Sequence, residues 1–415
     1  MRIILAHPGQ QHSFRVAVAL KDIGVLEKFY TCIYDLPSSF SMRLAHWLVR
    51  GEDAKKILKR KDERLSDSDV KTYYTFLSLV VIILSRSRYT KKLSLWLDRK
   101  ISYFFGIKIA KNAIREKADA VICFSNNETS CFKFLSKRAP WIKRIVDCAN
   151  APAEYMREIY QNDMIKYQHE GIKREIPELW NDKNIQSQRM GLELTDYFLA
   201  PSKFVKKGLI NCGVVPEKIK VLYYGTLFPV RTSFKNHLER KLIRFLYVGQ
   251  VTHRKGIHHL CHIFTELSGA ELIIVGAYDL NGSIYTKYKS IDNISFVGRV
   301  SHDEVMRYMD EADIFIFPSL ADSFSLACVE AMSRGLPVIC SDHTGASDLI
   351  KNGVNGFVFN SEEEVEIKNI CNFIMGNANL ISSMSKNAAE TVANYSWDNY
   401  TKNLRHILET IITSK

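Results

Sequence analysis

The sequence predicts an α/β protein with two domains, each built on a parallel β-sheet. Short apolar runs recur along the 415 residues, and most are followed by a loop and a segment of helical composition. This is the pattern of buried parallel strands joined by helices. The chain is long enough for two domains, and its 46% apolar and 25% charged contents are those of a globular protein. We predict a first domain at 1–230, a second at 240–395 and a terminal helix at 396–415.

The cysteines and the N-terminus predict a cytoplasmic location. The nine cysteines are scattered singly, without a CxxC motif or a His/Cys cluster at zinc spacing, so we expect free thiols in a reducing compartment. Residues 1–9 have the composition of a strand that runs into a loop, not of a signal peptide.

The positive charge is concentrated in one region of the first domain. The net charge is +12, and residues 36–117 hold 19 Lys and Arg against 8 Asp and Glu. A basic face indicates a phosphate-bearing partner or an anionic membrane surface. The alternative is an ordinary solvated helical surface.

The first strand is predicted at residues 2–6, with a helix starting at 14–20. The loop between them ends up at the carboxyl edge of the sheet, where open α/β sheets bind ligands. Gly9 allows a diphosphate or a sugar to approach the backbone closely. His7 and His12 are candidates for hydrogen bonds to a bound ligand, and the alternative for each is a structural role.

A basic, helix-rich insertion is predicted at about 36–110. Within it, residues 73–85 form an apolar run of 13 residues, shorter than the roughly 20 that span a bilayer. Basic residues mixed with Trp, Phe and Leu follow to about residue 105. The stretch 72–108 therefore suits a helix in the membrane interface, or equally a helical hairpin packed on the domain.

Two further strands of the first domain end in polar loops. Ala120–Phe124 leads into a loop that contains Asn126, and residues 144–148 lead into a loop that contains Asn150. Asn126 and Asn150 join His7 and His12 as candidates to complete a site from the first domain. Asp147 is a further candidate for the space near Asn150.

The second domain starts at a predicted strand, Ile243–Val248. Gly249 follows it, and a loop then runs to Gly256 before the next helix. Arg254 and Lys255 place two cations beside a glycine-bearing backbone, which suits a diphosphate. The alternative is a pair of exposed surface cations.

Residues 313–342 form a strand–loop–helix–strand unit with a helix predicted at 325–334. Free N–H groups at Ser325, Leu326 and Ala327 point out of the first turn, and such an end binds anions, above all phosphate. Asp322 precedes this end, and Glu330 follows eight positions later. Both carboxylates suit hydroxyl groups on either side of a bound phosphate. The alternative is an acid near the helix cap and an exposed acid on the helix.

Asp322 to Met332 resembles the E-x7-E motif of retaining GT-B glycosyltransferases of family GT4, with Asp in place of the first Glu. The resemblance covers the second half of the chain closely and the first half loosely. It implies two Rossmann-like domains that face each other across a cleft, with the C-terminal helix crossing back to the first domain. It also implies transfer of a hexose-like sugar from a nucleotide-sugar, with retention, to a glycan or lipid-linked acceptor in bacterial surface polysaccharide synthesis. The alternative is a GT-B-fold nucleotide-sugar epimerase or hydrolase.

The resemblance also assigns roles within the site. Asp322, Arg254 and Lys255 are the catalytic candidates, with Asp322 on the donor sugar and the two cations on the departing diphosphate. Glu330 is expected on the ribose, and Arg299 and Val300 on the base. The further donor-binding residues are Gly9, Gly249, Ser323, Phe324, Ser325, Leu326 and Ala327.

The sequence predicts no metal, no other cofactor and no nucleic-acid partner. No DxD-like acidic pair lies in a suitable loop, and no RNP or KH signature is present. Three positions differ from the family pattern. Only one glycine lies in the first loop, Gln250 replaces a basic residue, and no histidine lies in 149–152.

Overall fold

The computed structural model describes residues 1–10, 12–35, 60–226, 230–231 and 242–413. It contains two parallel β-sheets, one in each half of the chain. The sheet of the first half has the strand order β3-β2-β1-β4-β5-β6-β7. Its strands are β1 (Ile3–Ala6), β2 (Leu26–Thr31), β3 (Val70–Thr72), β4 (Ala120–Phe124), β5 (Lys143–Asp147), β6 (Tyr197–Ala200) and β7 (Ile219–Val221).

Helices connect these strands and cover the sheet. The strands β1 and β4 are buried on both faces, which explains their uninterrupted apolar sequences. The helices are α1 (Ser13–Asp22), α2 (Thr75–Leu84), α3 (Lys91–Arg115), α4 (Thr129–Arg138), α5 (Ala153–Lys166), α6 (Gly171–Glu175), α7 (Asp182–Glu193) and α8 (Lys203–Asn211).

The sheet of the second half has the order β10-β9-β8-β11-β12-β13. Its strands are β8 (Ile243–Val248), β9 (Ala270–Val275), β10 (Ile294–Gly298), β11 (Ile314–Phe317), β12 (Val338–Ser341) and β13 (Gly356–Phe359). The helices are α9 (Ile257–Phe264), α10 (Ser283–Tyr288), α11 (His302–Glu311), α12 (Leu326–Ser333), α13 (Glu364–Gly376), α14 (Leu380–Val392) and α15 (Trp397–Thr413).

The last helix, α15, returns to the first half and packs against α1. Leu404, Leu408 and Ile411 recur at helical spacing along α15 and are completely buried. The predicted two-sheet architecture with a helix that crosses back is therefore confirmed.

The structure shifts predicted elements and adds strands that were not predicted, β2 and β3 among them. The helix predicted at 325–334 is Leu326–Ser333, because Ser325 is its N-cap and has left-handed φ and ψ of 63° and 68°. The strands β2 and β3 have no strong sequence signal. Part of the predicted insertion, 36–59, and most of the predicted linker, 227–229 and 232–241, lie outside the described residues.

Candidate active site

A cavity of about 800 Å³ lies between the carboxyl ends of the two sheets. The first half contributes loop and helix residues that follow β5, and the second half contributes the loops after β8 and β11. The wall includes Asn150, Tyr160, Glu175, Tyr224, Gly249, Gln250, Arg254, Lys255 and residues 321–327. The structure thus brings the predicted cationic turn and the predicted helix end to one cavity.

The cationic turn is a single 3-10 turn, His253–Lys255, closed by Gly256. Gly256 has a φ of +69°, and a Cβ at this position would lie 1.8 Å from the carbonyl oxygen of Pro318, so only glycine fits without a rearrangement. From the first half, the Glu175 carboxylate accepts hydrogen bonds from the backbone N–H groups of His253 (2.7 Å) and Arg254 (3.1 Å). The turn is therefore fixed from both sides of the cleft.

Lys255 and Asp322 form an ion pair inside the cavity. Their side chains are only 13% and 17% exposed. The Ser325 hydroxyl donates to Oδ1 of Asp322 at 2.6 Å. Burial alone would raise the pKa of Asp322, but Lys255 and the Ser325 hydroxyl outweigh it, and the pKa lies below its usual value. Asp322 is thus a carboxylate at neutral pH.

Arg254 and Gln250 are hydrogen-bonded to each other. Nη2 of Arg254 donates to Oε1 of Gln250 at 2.9 Å. The amide that occupies the position of a basic residue in the family pattern therefore orients the guanidinium at the cavity wall.

The N-terminus of α12 opens onto the same cavity. The carbonyl of Ser325 accepts the N–H of Cys328 at 2.9 Å, which starts the helix. Residues 325–327 line the cavity, and the N–H groups in the first turn of a helix have no acceptor within the helix. The left-handed conformation of Ser325 is a strained one for a non-glycine residue, and such strain is concentrated at functional sites.

Residues 230–391 match the family model described as glycosyl transferases group 1. The match includes all six strands of the second sheet and the cavity residues of the second half. The resemblance carried by residues 322–332 is confirmed at this level, since those residues lie inside the match.

The relatives found by sequence similarity align with about half of this chain or less. The amylovoran biosynthesis glycosyltransferase AmsK of Erwinia amylovora is 32% identical over 177 residues, which cover 39% of this chain and 43% of AmsK. The chain spans about half the length of the curated relatives that it matches.

Solved structures show the fold over the whole chain. The lipopolysaccharide outer core galactosyltransferase WaaB has a TM-score of 0.65 and 16% identity, with 99% of both chains covered. HepE of Anabaena in complex with UDP-glucose has a TM-score of 0.58 and 16% identity, with 99% of this chain and all of HepE covered. These similarities confirm the predicted GT-B fold.

Four predicted donor-binding residues lie away from the wall of this cavity. Glu330 is in the second turn of α12 and half-buried; burial raises its pKa, and attraction to His302 only partly offsets this. Arg299 and Val300 directly follow β10, at the same edge of the sheet. Gly9 follows β1, and its N–H donates to Nδ1 of His7 at 2.8 Å. Their roles toward a nucleotide-sugar stay predictions.

Among the first-half candidates, Asn150 is the one in the cavity wall. It accepts a hydrogen bond from the Ser323 hydroxyl of the second half at 3.2 Å. His12 instead lies behind the wall, with Nε2 3.0 Å from Oδ1 of the buried Asp147. Asn126 accepts a hydrogen bond from Nε2 of Gln188 at 2.5 Å in a neighbouring cavity.

The structure adds site residues that the sequence analysis missed. Glu175 holds the cationic turn, and Tyr160 and Tyr224 complete the wall. No local pattern marks them, because they reach the cavity residues of the second half only through the packing of the two halves.

A second cavity of about 840 Å³ lies in the first half and shares four wall residues with the first one. The shared residues are Asn150, Met156, Ile176 and Leu179. Its wall also includes the amides of Asn126 and Gln188, and Arg99 and Tyr103 of α3.

Proposed function

We propose that this chain transfers a sugar from a nucleotide-sugar to a glycan or lipid-linked acceptor, with retention, in the synthesis of a surface polysaccharide. One observation carries the proposal. Arg254 and Lys255 and the N-terminus of α12 meet at one cavity between the two sheets. Two fixed cations and a helix N-terminus form a binding site for a pyrophosphate, whose size this cavity accommodates.

The same groups serve the chemical step. As the bond between the anomeric carbon and the diphosphate oxygen breaks, negative charge grows on the diphosphate. Arg254, Lys255 and the amides at 325–327 are placed to stabilise it without rearrangement. For retention, an acceptor hydroxyl attacks from the face that the diphosphate leaves, and its proton passes to a diphosphate oxygen. On this proposal the reaction needs no metal.

Asp322 and Glu330 have different roles in this proposal. Asp322 is ionised, enclosed and bonded to Ser325 and Lys255, so it orients the lysine and accepts hydrogen bonds from the donor sugar. Glu330 lies in the second turn of α12, half-buried, and is assigned to the ribose hydroxyls. Residues 299 and 300 at the end of β10 are assigned to the base.

The acceptor is assigned to the second cavity. Asn150 belongs to both cavity walls and bonds to Ser323, so an acceptor hydroxyl near Asn150 is next to the donor sugar. Amide side chains such as Asn126 and Gln188 both donate and accept hydrogen bonds, as sugar hydroxyls require.

The hairpin of α2 and α3 favours a lipid-linked acceptor and an anionic membrane surface as partners. Trp96 and Phe104 share a helical face of α3 and are 55% and 52% exposed. Further exposed apolar residues on these two helices are Phe76, Leu77, Ile83, Leu93, Leu95 and Tyr103. Lys and Arg residues flank them at 86–100. No helix within the described ranges is long and apolar enough to cross a membrane.

The helix α3 also contributes Arg99 and Tyr103 to the second cavity. The same helix can therefore contact a lipid in the membrane interface and a sugar in the cavity. We therefore place the protein at the cytoplasmic face of a membrane. The names of AmsK and WaaB, which refer to amylovoran and lipopolysaccharide, support surface polysaccharide synthesis.

A thermal-shift screen across nucleotide-sugars tests the donor half of the proposal. A ligand at 100 times its Kd stabilises the protein by about 2.7 kcal/mol, so the cognate donor raises Tm above that of the other nucleotide-sugars. Nucleotide release is then measured with and without candidate acceptors. Release that needs an acceptor supports a transferase, whereas equal release without one indicates the hydrolase alternative, and donor conversion without release indicates an epimerase.

A further inference from the structure

Three histidines surround one carboxylate where the two halves of the chain touch, and a fourth, His253, pairs with Glu175 and packs its ring against two of them. Asp163 of α5 and His169 come from the first half, and His253, His258 and His259 from the second. Oδ2 of Asp163 is 2.8 Å from Nε2 of His169 and 3.3 Å from Nε2 of His258. Oδ1 of Asp163 is 2.7 Å from Nε2 of His259. We name these five residues the interdomain histidine cluster.

His258 is the residue that hydrogen bonding does not explain. Both of its ring nitrogens are buried, and within the described ranges neither has a hydrogen-bond partner, although Nε2 lies close to Asp163. A buried polar atom without a partner is costly, and a native structure rarely leaves one without a reason. A neutral imidazole carries a lone pair on one ring nitrogen, and this is the form that binds a metal ion.

We propose that Asp163, His169 and His258 bind one divalent first-row transition ion, with Zn²⁺ as the expected occupant. Their ligand atoms all lie within 4.8 Å of one another. Ligand atoms around tetrahedral Zn²⁺ lie about 3.3 Å apart at bond lengths of about 2.0–2.2 Å, so small side-chain rotations close the site. Two imidazoles and one carboxylate favour such an ion over Mg²⁺ or Ca²⁺, which prefer oxygen ligands.

The residues around Asp163 support metal binding as they stand, whereas one hydrogen bond of His169 has to break. His259 bonds to the second oxygen of Asp163, as outer residues orient a ligating carboxylate. At His169, the N–H of Gly171 lies 3.2 Å from Nδ1. Because a neutral imidazole that binds through Nε2 has its proton on Nδ1, ion binding breaks this contact. Residues 169–171 are therefore expected to shift on metal binding.

The ion would join the two halves at the base of the cleft. Asp163 and His169 belong to the first half. His258 is the second residue of α9, which follows the His253–Lys255 turn after Gly256. A bound ion would hold this turn, and with it Arg254 and Lys255, against the first half. This proposal departs from the sequence-based prediction of no metal, and it does not depend on the proposed reaction.

The test measures metal on the full-length chain. The protein is freed of metal by chelator dialysis, mixed with Zn²⁺, passed through gel filtration and analysed for zinc per chain, with affinity from calorimetry. The variants are His258→Ala and His169→Ala, and His262→Ala on the exposed face of the same helix is the matched control. His258→Gln is a second variant of similar size in case His258→Ala does not fold.

The expected result is one tightly bound zinc in the wild type and in His262→Ala, and at least about tenfold weaker binding in the two ligand variants. Zinc should also raise the Tm of the wild type but not that of His258→Ala or His258→Gln. No zinc on the wild type after gel filtration, or equal zinc affinity in all variants, would overturn the proposal.

Discussion

Lys255 and Asp322 are paired across the loops that follow β8 and β11, and both side chains are largely enclosed. The ammonium also lies 5.1 Å from the centre of the Phe317 ring. Because the pKa of Asp322 is depressed, the stability from this pair is present above pH 3.8 and is lost as the pH falls through the folded pKa. The pair therefore contributes to the stability of the fold and also to the chemistry proposed for the cavity.

Lys255→Met should separate these two contributions. It leaves the Asp322 carboxylate buried without its cation, which costs about 3–5 kcal/mol of unfolding free energy. Adding Asp322→Asn removes the unpaired charge and should recover most of that stability. Urea unfolding of the single and double variants at pH 7 measures this.

Activity should not recover with stability in that pair of variants. The proposed role of Lys255 on the diphosphate predicts that kcat falls about 10²- to 10³-fold in Lys255→Met and stays low in the double variant. A double variant that regains wild-type kcat would show that Lys255 serves the fold alone.

Glu330→Ala should weaken donor binding and leave the fold intact. Loss of hydrogen bonds to a charged group costs about 1.5–3 kcal/mol, which is roughly 10- to 100-fold in Kd by calorimetry. Because burial raises the pKa of Glu330, donor binding should also strengthen as the pH rises through that value, which lies above 4.5. Glu390→Ala, at an exposed acid of α14, is the control. An unchanged Kd in Glu330→Ala would contradict the assignment of Glu330 to the ribose hydroxyls.

Glu128 should make the protein less stable as the pH rises. Burial raises its pKa from 4.5 to about 7, and a Cβ on Gly191 would lie only 2.0 Å from its Oε1, which shows how tightly α7 covers it. The unfolded chain releases this proton first, so stability falls between pH 4.5 and 7 by up to about 3 kcal/mol.

Glu128→Gln should flatten this part of the stability–pH curve and stabilise the protein above pH 7. Thermal unfolding across pH 4–8 measures it, with the exposed Glu158→Gln as control. A Glu128→Gln curve parallel to that of the wild type would mean that Glu128 is not the titrating group.

The hairpin should bind vesicles through its exposed aromatic face. We expect co-sedimentation with phosphatidylcholine vesicles only when phosphatidylglycerol is present, with binding that weakens as salt rises. Trp96→Ser with Phe104→Ser should reduce binding strongly. Trp141→Ser changes a 69% exposed tryptophan outside the hairpin and should not. Binding that ignores anionic lipid, or an effect of Trp141→Ser equal to that of the hairpin variant, would contradict the membrane proposal.

The fold was predictable wherever a strand is buried on both sides. Strands such as β4 and β11 are continuous apolar runs because helices cover both faces. In β2, by contrast, the first three residues are only partly buried, and Glu27 and Lys28 interrupt the pattern. The three residues of β3 are too few to show any periodicity.

Those parts of the site that lie close together in the sequence were predictable. Arg254 and Lys255 sit in one short loop, and the helix end at 325–327 sits in one strand–helix unit, so their spacing alone indicates an anion site. The contacts of Glu175 with the turn join the two halves of the chain, as does the interdomain histidine cluster. Only the packing of the halves creates these contacts, and no spacing along the sequence encodes them.

A crystal structure with the nucleotide-sugar selected by the thermal-shift screen tests the central claim most directly. The account predicts both phosphates between the His253–Lys255 turn and the first turn of α12, with oxygens about 2.7–3.1 Å from Lys255, Arg254 and the amides at 325–327. A diphosphate bound elsewhere, with these groups unengaged, would contradict it.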